Sequence, residues 1–180
     1  MMITEKETIK CEAVYNEDRT HRYIWRKCWS REKPMVTVVM LNPCADNLLI
    51  SDLSSVLVTN NIARFEKYGG VNIVNLFSLL TPKLHLRGSA NEEINTPENN
   101  DYIMKAAGES ELIILAWGKA ADSNQYIADR AVEVINMLKD YKDKLYVITD
   151  GERKTLHPLT PQIRNYWELE KVDFQESDKA

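Results

Sequence analysis

The chain has 180 residues, enough for one domain with a full hydrophobic core and too few for two ordinary ones. With 44% hydrophobic and 28% charged residues it has the make-up of a soluble globular protein, so 1–180 reads as a single domain with an ordered core over about 10–170 and a polar C-terminal tail, Gln175 to Ala180. Its net charge of −4 argues against coating nucleic acid non-specifically, which rests on neutralising phosphates, but leaves room for a local basic face.

No apolar run approaches the roughly 20 residues needed to cross a bilayer, and the N-terminus lacks a charged-then-apolar leader pattern. No membrane partner and a cytoplasmic location are expected. The three cysteines, Cys11, Cys28 and Cys44, are odd in number and lack C-x-x-C spacing. They support neither a disulfide framework nor a zinc or iron–sulfur site, and no metal or cofactor is expected.

In chain order, Glu12 to Trp29 reads as a two-stranded hairpin turning at Asn16-Glu17-Asp18, with Tyr23, Trp25 and Trp29 at alternate positions. Met35 to Leu41, Val71 to Phe77, Leu112 to Trp117 and Leu145 to Thr149 are short apolar runs, partly β-branched, of the kind that forms strands covered on both faces. Between the first two, Leu53, Val56, Leu57, Asn60, Asn61, Arg64 and Phe65 recur on a helical period that stops at Tyr68-Gly69-Gly70. Thr81 to Asn99, with two prolines and little periodicity, reads as a loop leading to a helix near Asn100 to Ala107. Tyr126 to Leu138 carries Ile127, Ala131, Val134, Ile135 and Leu138 at helical spacing. This alternation predicts an α/β fold, a three-layer α/β/α sandwich around a central four-stranded, mainly parallel sheet with right-handed crossovers, plus the N-terminal hairpin.

In open parallel sheets ligands bind outside the carboxyl ends of strands, where loops present polar groups on a fixed frame. The loops to watch begin at Asn42-Pro43-Cys44-Ala45-Asp46, at Asn75-Leu76-Phe77, at Trp117-Gly118-Lys119, and at Gly151 through His157-Pro158-Leu159.

Leu41-Asn42-Pro43-Cys44-Ala45-Asp46, Gly70-Val71-Asn72-Ile73-Val74-Asn75-Leu76-Phe77, Ala116-Trp117-Gly118 and His157-Pro158-Leu159, in that order, resemble the domain of unknown function 1643 family, over roughly Tyr23 to Thr160. That family usually has Ser where this chain has Cys44, and Asp-Pro-Thr where it has Asp52-Leu53-Ser54. The same four-part order is similar to the uracil-DNA glycosylase superfamily: a D-P or N-P loop, an L-L-L-N strand, an L-W-G strand and an H-P-S loop. The resemblance implies a uracil-DNA-glycosylase-like fold, although shared fold does not prove shared reaction.

It also implies roles. Asn42 falls where these enzymes place the residue that positions or activates water; its amide can hold a water but cannot be an ionised general base. On residue chemistry alone, Asn-Pro also simply ends a strand and opens a turn. Asp46 is ionisable and either supplies the carboxylate that Asn42 lacks or caps the next helix. Asn75 matches the Asn that bonds the Watson–Crick edge of an extruded base, the alternative being a buried Asn that satisfies neighbouring backbone. Cys44 takes the place of a Tyr that blocks a 5-methyl group and is read as pocket lining, not as a nucleophile.

His157 matches the His that stabilises negative charge on the departing base. Leu159 and Thr160 follow where the glycosylases grip phosphate and wedge the duplex, and Lys119 and Arg153 are the further candidates for DNA or phosphate contact. Phe77 is the stacking candidate beside Asn75; Trp117 suits either core or base stacking, and Tyr23, Trp25 and Trp29 suit core or hairpin packing. His21 and His85 match nothing and read as surface residues.

The function expected is that of a nucleobase-recognising enzyme, an N-glycosylase hydrolysing the glycosidic bond of a modified or mispaired pyrimidine in DNA or a nucleotide. A non-catalytic base-, nucleotide- or DNA-binding module on the same scaffold, and a hydrolase of a small base-like metabolite, are the competing expectations. The partner in the first two is a nucleic acid or nucleotide, and the oligomeric state is left open.

Overall fold

The computed structural model describes residues 1–44, 48–84 and 94–174. Within them β1 (Lys10–Tyr15), β2 (Arg22–Cys28), β3 (Met35–Met40), β4 (Gly70–Asn75), β5 (Ser110–Leu115), β6 (Leu145–Thr149) and β7 (Glu168–Lys171) form one sheet in the order β1-β2-β4-β3-β5-β6-β7.

The four apolar runs became β3 to β6, which lie side by side and run parallel. Three further pairings, β1 with β2, β2 with β4, and β6 with β7, are antiparallel. The expected four-stranded, mainly parallel sheet is therefore corrected to a seven-stranded mixed one. The physical reason is edge protection: β4 and β6 would otherwise present rows of unpaired backbone groups. The hairpin closes the first edge by laying β2 on β4, with Trp25 opposite Ile73, so it is part of the sheet and not an appendage. β7 closes the second.

Helices cover both faces. α1 (Leu53–Arg64) buries Val58 and Ile62 in one apolar cluster with Val36, Val38 and Met40 of β3. Val39 of the same strand turns to the opposite cluster, as a period of two requires. There it meets Ile103, Ala106 and Ala107 of α2 (Glu98–Gly108) and Ile127, Ala131 and Val134 of α4 (Gln125–Met137), which follows the short α3 (Ala120–Ser123). With cover on both sides every residue of β4 is buried, and each fully buried Val, Ile or Leu contributes about 1.5–3 kcal/mol.

Several aromatic and His residues find their places in this frame. Tyr23 and Trp25 are buried, and Trp29 donates its Nε1–H to Tyr68 O at 2.9 Å, so the hairpin aromatics pack. Trp117 is in the core. His21 is not a surface residue: it is buried where the start of β2 meets the loop after β4, its Nδ1 2.9 Å from Ser78 Oγ. His85 and the tail from Gln175 lie outside the described residues. Among the described residues no helix is long and apolar enough to cross a membrane.

Candidate functional site

The carboxyl ends of β4 and β3, together with the loop that follows β6, enclose a cavity of about 210 Å³. Asn42 and Cys44 reach it from the loop after β3, Asn75 from the last position of β4, and His157 and Leu159 from the loop after β6. Two charged residues that sequence reasoning gave no role, Arg22 and Asp52, also line it, beside Ser54 and Ser55. A larger cleft of about 580 Å³ lies beside the second half of α4, walled by Val132, Asn136, Lys139 and their neighbours, and holds none of the motif residues.

Asn75 is 2% exposed, and no described residue hydrogen-bonds its side-chain amide, which borders the cavity. Its backbone is held from behind. Asn99 of α2 donates through Nδ2 to Asn75 O at 3.0 Å and Leu76 O at 3.2 Å, and Arg130 of α4 donates through Nε to Leu76 O at 2.9 Å. A signal for Arg130 was available: it sits between Ile127 and Val134 on the apolar face of its helix, an expensive place for a charge without partners.

Asn42 closes the turn after β3 and also borders the cavity. Its Nδ2 donates to Pro43 O at 3.1 Å and to Thr81 O at 2.8 Å, which ties the turn after β3 to the loop after β4. No described residue donates to its Oδ1, so that oxygen remains an acceptor at the cavity wall.

His157 accepts at Nδ1 from the backbone N–H of Leu159 at 3.2 Å, which fixes Nε2 as the protonated nitrogen of the neutral ring. Burial pushes its pKa down from the usual imidazole value, and the nearby Asp52 carboxylate pushes it partly back. The group is thus a neutral N–H donor.

Asp52 caps α1: Oδ1 accepts from Ser55 N at 3.1 Å and Oδ2 from Ser55 Oγ at 2.7 Å. Burial pushes its carboxyl pKa up, but these two bonds, the Arg22 cation and the Cys44 thiol together bring it below the ordinary value. Arg22 is 3% exposed, and burial lowers its guanidinium pKa while Tyr15, Asp52 and Cys44 oppose the shift. At any working pH it stays a cation. Cys44 is exposed as a residue, yet the loss of solvent around its sulfur and then the Asp52 charge push its thiol pKa up, away from nucleophilic character.

Four of the expected site residues do not line this cavity. Phe77 is fully buried and stacks on Tyr126, ring centroids 5.6 Å apart, because it lies two residues past the end of β4, where the period of two that would keep it on the face of Asn75 no longer holds; it is a core residue and not a stacking platform here. Lys119 is exposed at the start of α3. Arg153 pairs with Asp150 four-square within its own loop, its Nε 2.9 Å from Oδ2, and holds that carboxyl at about 2. Thr160 donates its backbone N–H to His157 O at 2.8 Å and so shapes the loop. Asp46 lies outside the described residues. Among the described residues no three His, Cys, Asp or Glu side chains gather so as to hold a metal ion.

The cavity thus presents, within one small space, a buried residue's amide that no described residue pairs, an imidazole N–H donor, an anchored carboxylate and a buried cation. It can hold a flat polar ligand edge-on to Asn75 and stabilise charge of either sign. No curated protein and no solved structure matches the chain. The family described as Protein of unknown function (DUF1643) matches over residues 22–159, a stretch that opens on Arg22 and closes on Leu159, both at the cavity, and the chain belongs to that family.

Proposed function

We propose that the cavity receives a nucleobase and that the protein is an N-glycosylase, cleaving the glycosidic bond of a modified or mispaired pyrimidine in DNA or a nucleotide on a uracil-DNA-glycosylase-like α/β/α scaffold. The observation that carries this reading is Asn75. A side-chain amide 2% exposed, without a described protein partner and on the cavity wall, presents a donor and an acceptor to whatever fills that space. The edge of a uracil-like ring offers an acceptor and a donor in register.

The size of the space supports a single ring. About 210 Å³ falls below the roughly 300–1,000 Å³ of pockets that take larger ligands. In this reading His157 Nε2–H donates to the base oxygen on which negative charge builds as the bond breaks. The small Cys44 side chain at the mouth leaves room for a 5-substituent. Lys119 and Arg153 are the candidates for phosphate contact outside the cavity.

The test is incubation of the purified protein with oligonucleotides carrying uracil, thymine mismatches and 5-substituted pyrimidines, and with the corresponding nucleotides. Appearance of abasic product with at least one substrate, lost in His157→Ala, is the expected result. If no substrate is cleaved and His157→Ala binds them as the wild type does, the enzymatic reading is wrong.

One observation favours a second reading, a binding module without turnover: Asn42 is no carboxylate and its Nδ2 is committed to two backbone carbonyls. Thermal-shift measurements with free bases, nucleosides and DNA separate the two, since stabilisation without cleavage marks a binder.

A further inference from the structure

We infer that Asp52 is the reacting carboxylate of this cavity: it holds the attacking water, faces the positive charge that develops on the sugar, and takes up the proton the water releases. This rests on the glycosylase reading above. Asn42, at the strand end, has no charge to offer, whereas Asp52 lines the same cavity with a fixed anion. Its two bonds from Ser55 hold the carboxylate in one orientation and, against the burial that opposes charge, keep it ionised, with buried Arg22 adding to them. An ionised carboxylate has about four acceptor positions, and among the described residues Ser55 and Cys44 use three, so a water or a substrate donor can take the fourth. The field of Asp52 is felt at His157, so the anion and the imidazole donor address the same small space. Helix capping accounts for the Ser55 bonds alone; it does not account for a cavity position shared with Asn75 and His157.

The chemistry balances. The bond between the base nitrogen and sugar C1′ breaks, its electron pair passes to the base, and His157 Nε2–H hydrogen-bonds the base oxygen that shares the charge. C1′ becomes an oxocarbenium ion opposite Asp52. The oxygen of water bonds C1′, and the proton of the resulting oxonium passes to Asp52 and then to the base nitrogen, so base–sugar plus water gives free base plus sugar hydroxyl. An oxonium is far more acidic than a carboxylic acid, so a carboxylate that is a weak base still accepts its proton. Its main work is electrostatic.

The experiment compares wild type with Asp52→Asn, a substitution that keeps the helix cap. It measures single-turnover cleavage, affinity for free uracil, and affinity for a cationic pyrrolidine sugar mimic carrying the base against its neutral cyclopentane counterpart. Expected are a rate lower by about 10²-fold or more in the variant, uracil affinity within about threefold, and loss of the wild type's preference for the cationic mimic. Wild-type cleavage by Asp52→Asn, or a cationic preference that survives the substitution, overturns the role of Asp52 while leaving the glycosylase reading intact. Should the variant not fold, equal binding of the two mimics by the wild type overturns it without any variant. A wild type that binds no base and cleaves no substrate overturns the glycosylase reading itself, and the inference with it.

Discussion

Gly118 lies so close to His157 that a β-carbon added to it would sit 2.7 Å from His157 Cβ. The Trp-Gly after β5 and the His-Pro after β6 are therefore one construction: the first makes room for the second. Gly118 also has φ +75°, in the left-handed region that side chains disfavour.

Gly118→Ala meets both obstacles. The left-handed backbone alone costs about 1–2 kcal/mol, and the new methyl must push the His157 loop away from the cavity. Urea unfolding is expected to show a loss of at least about 1 kcal/mol, with His157 ring resonances displaced. Wild-type stability with an unmoved imidazole would contradict the coupling.

Asn75→Ala is expected to separate stability from binding. The amide has no described partner, so its removal leaves no protein group unsatisfied, and stability should stay within about 1 kcal/mol of wild type or rise. Base affinity should fall by about tenfold or more, the worth of the hydrogen bonds lost. A destabilisation well beyond that range with affinity unchanged would mark the amide as structural.

The imidazole of His157 carries a pH signature. Its folded pKa is lowered by burial, so the unfolded chain binds more protons as pH falls below the ordinary value of about 6.5. Stability from this group is fully present above that value and is lost as pH falls through the folded one. His21, also lowered by burial, contributes with the same sign. The fall in the urea midpoint from about pH 7.5 to about pH 5.5 should be smaller in His157→Gln than in wild type, but not absent. Asp52 loses its contribution only at lower pH, below the ordinary carboxyl value, and stays out of that window.

Phe77→Leu tests the reassignment of Phe77 to the core. Loss of the Tyr126 stack and a small volume change should cost about 1–2 kcal/mol and leave base affinity unaltered. A selective loss of affinity would return the ring to the site.

The four central strands were legible because runs such as Val36 to Met40 and Leu145 to Thr149 are mostly apolar and partly β-branched, without a helical period. Their ends were less so, since Leu41, Leu76-Phe77 and Ala116-Trp117 continue the apolar run past the last ladder position. β7 was not legible: in Glu168-Leu169-Glu170-Lys171 only Leu169 is drawn inward, too little to show a period.

The site was legible where a residue type is awkward in a core, as with Asn42, Asn75 and His157, all of which line the cavity. Arg22 and Asp52 were missed for the opposite reason. An Arg opening a strand and an Asp before a helix look like surface features until the hairpin and α1 turn them inward over the same space.

The most direct test of the central claim, that Asn75 and His157 frame a base pocket, is a nuclear magnetic resonance titration of the protein with uracil, thymine and their nucleosides. Saturable shifts of the Asn75 side-chain amide and the His157 Nε2 resonances, abolished in Asn75→Ala, are the predicted result. Resonances that stay fixed at every concentration, in a protein shown to be folded, would contradict it.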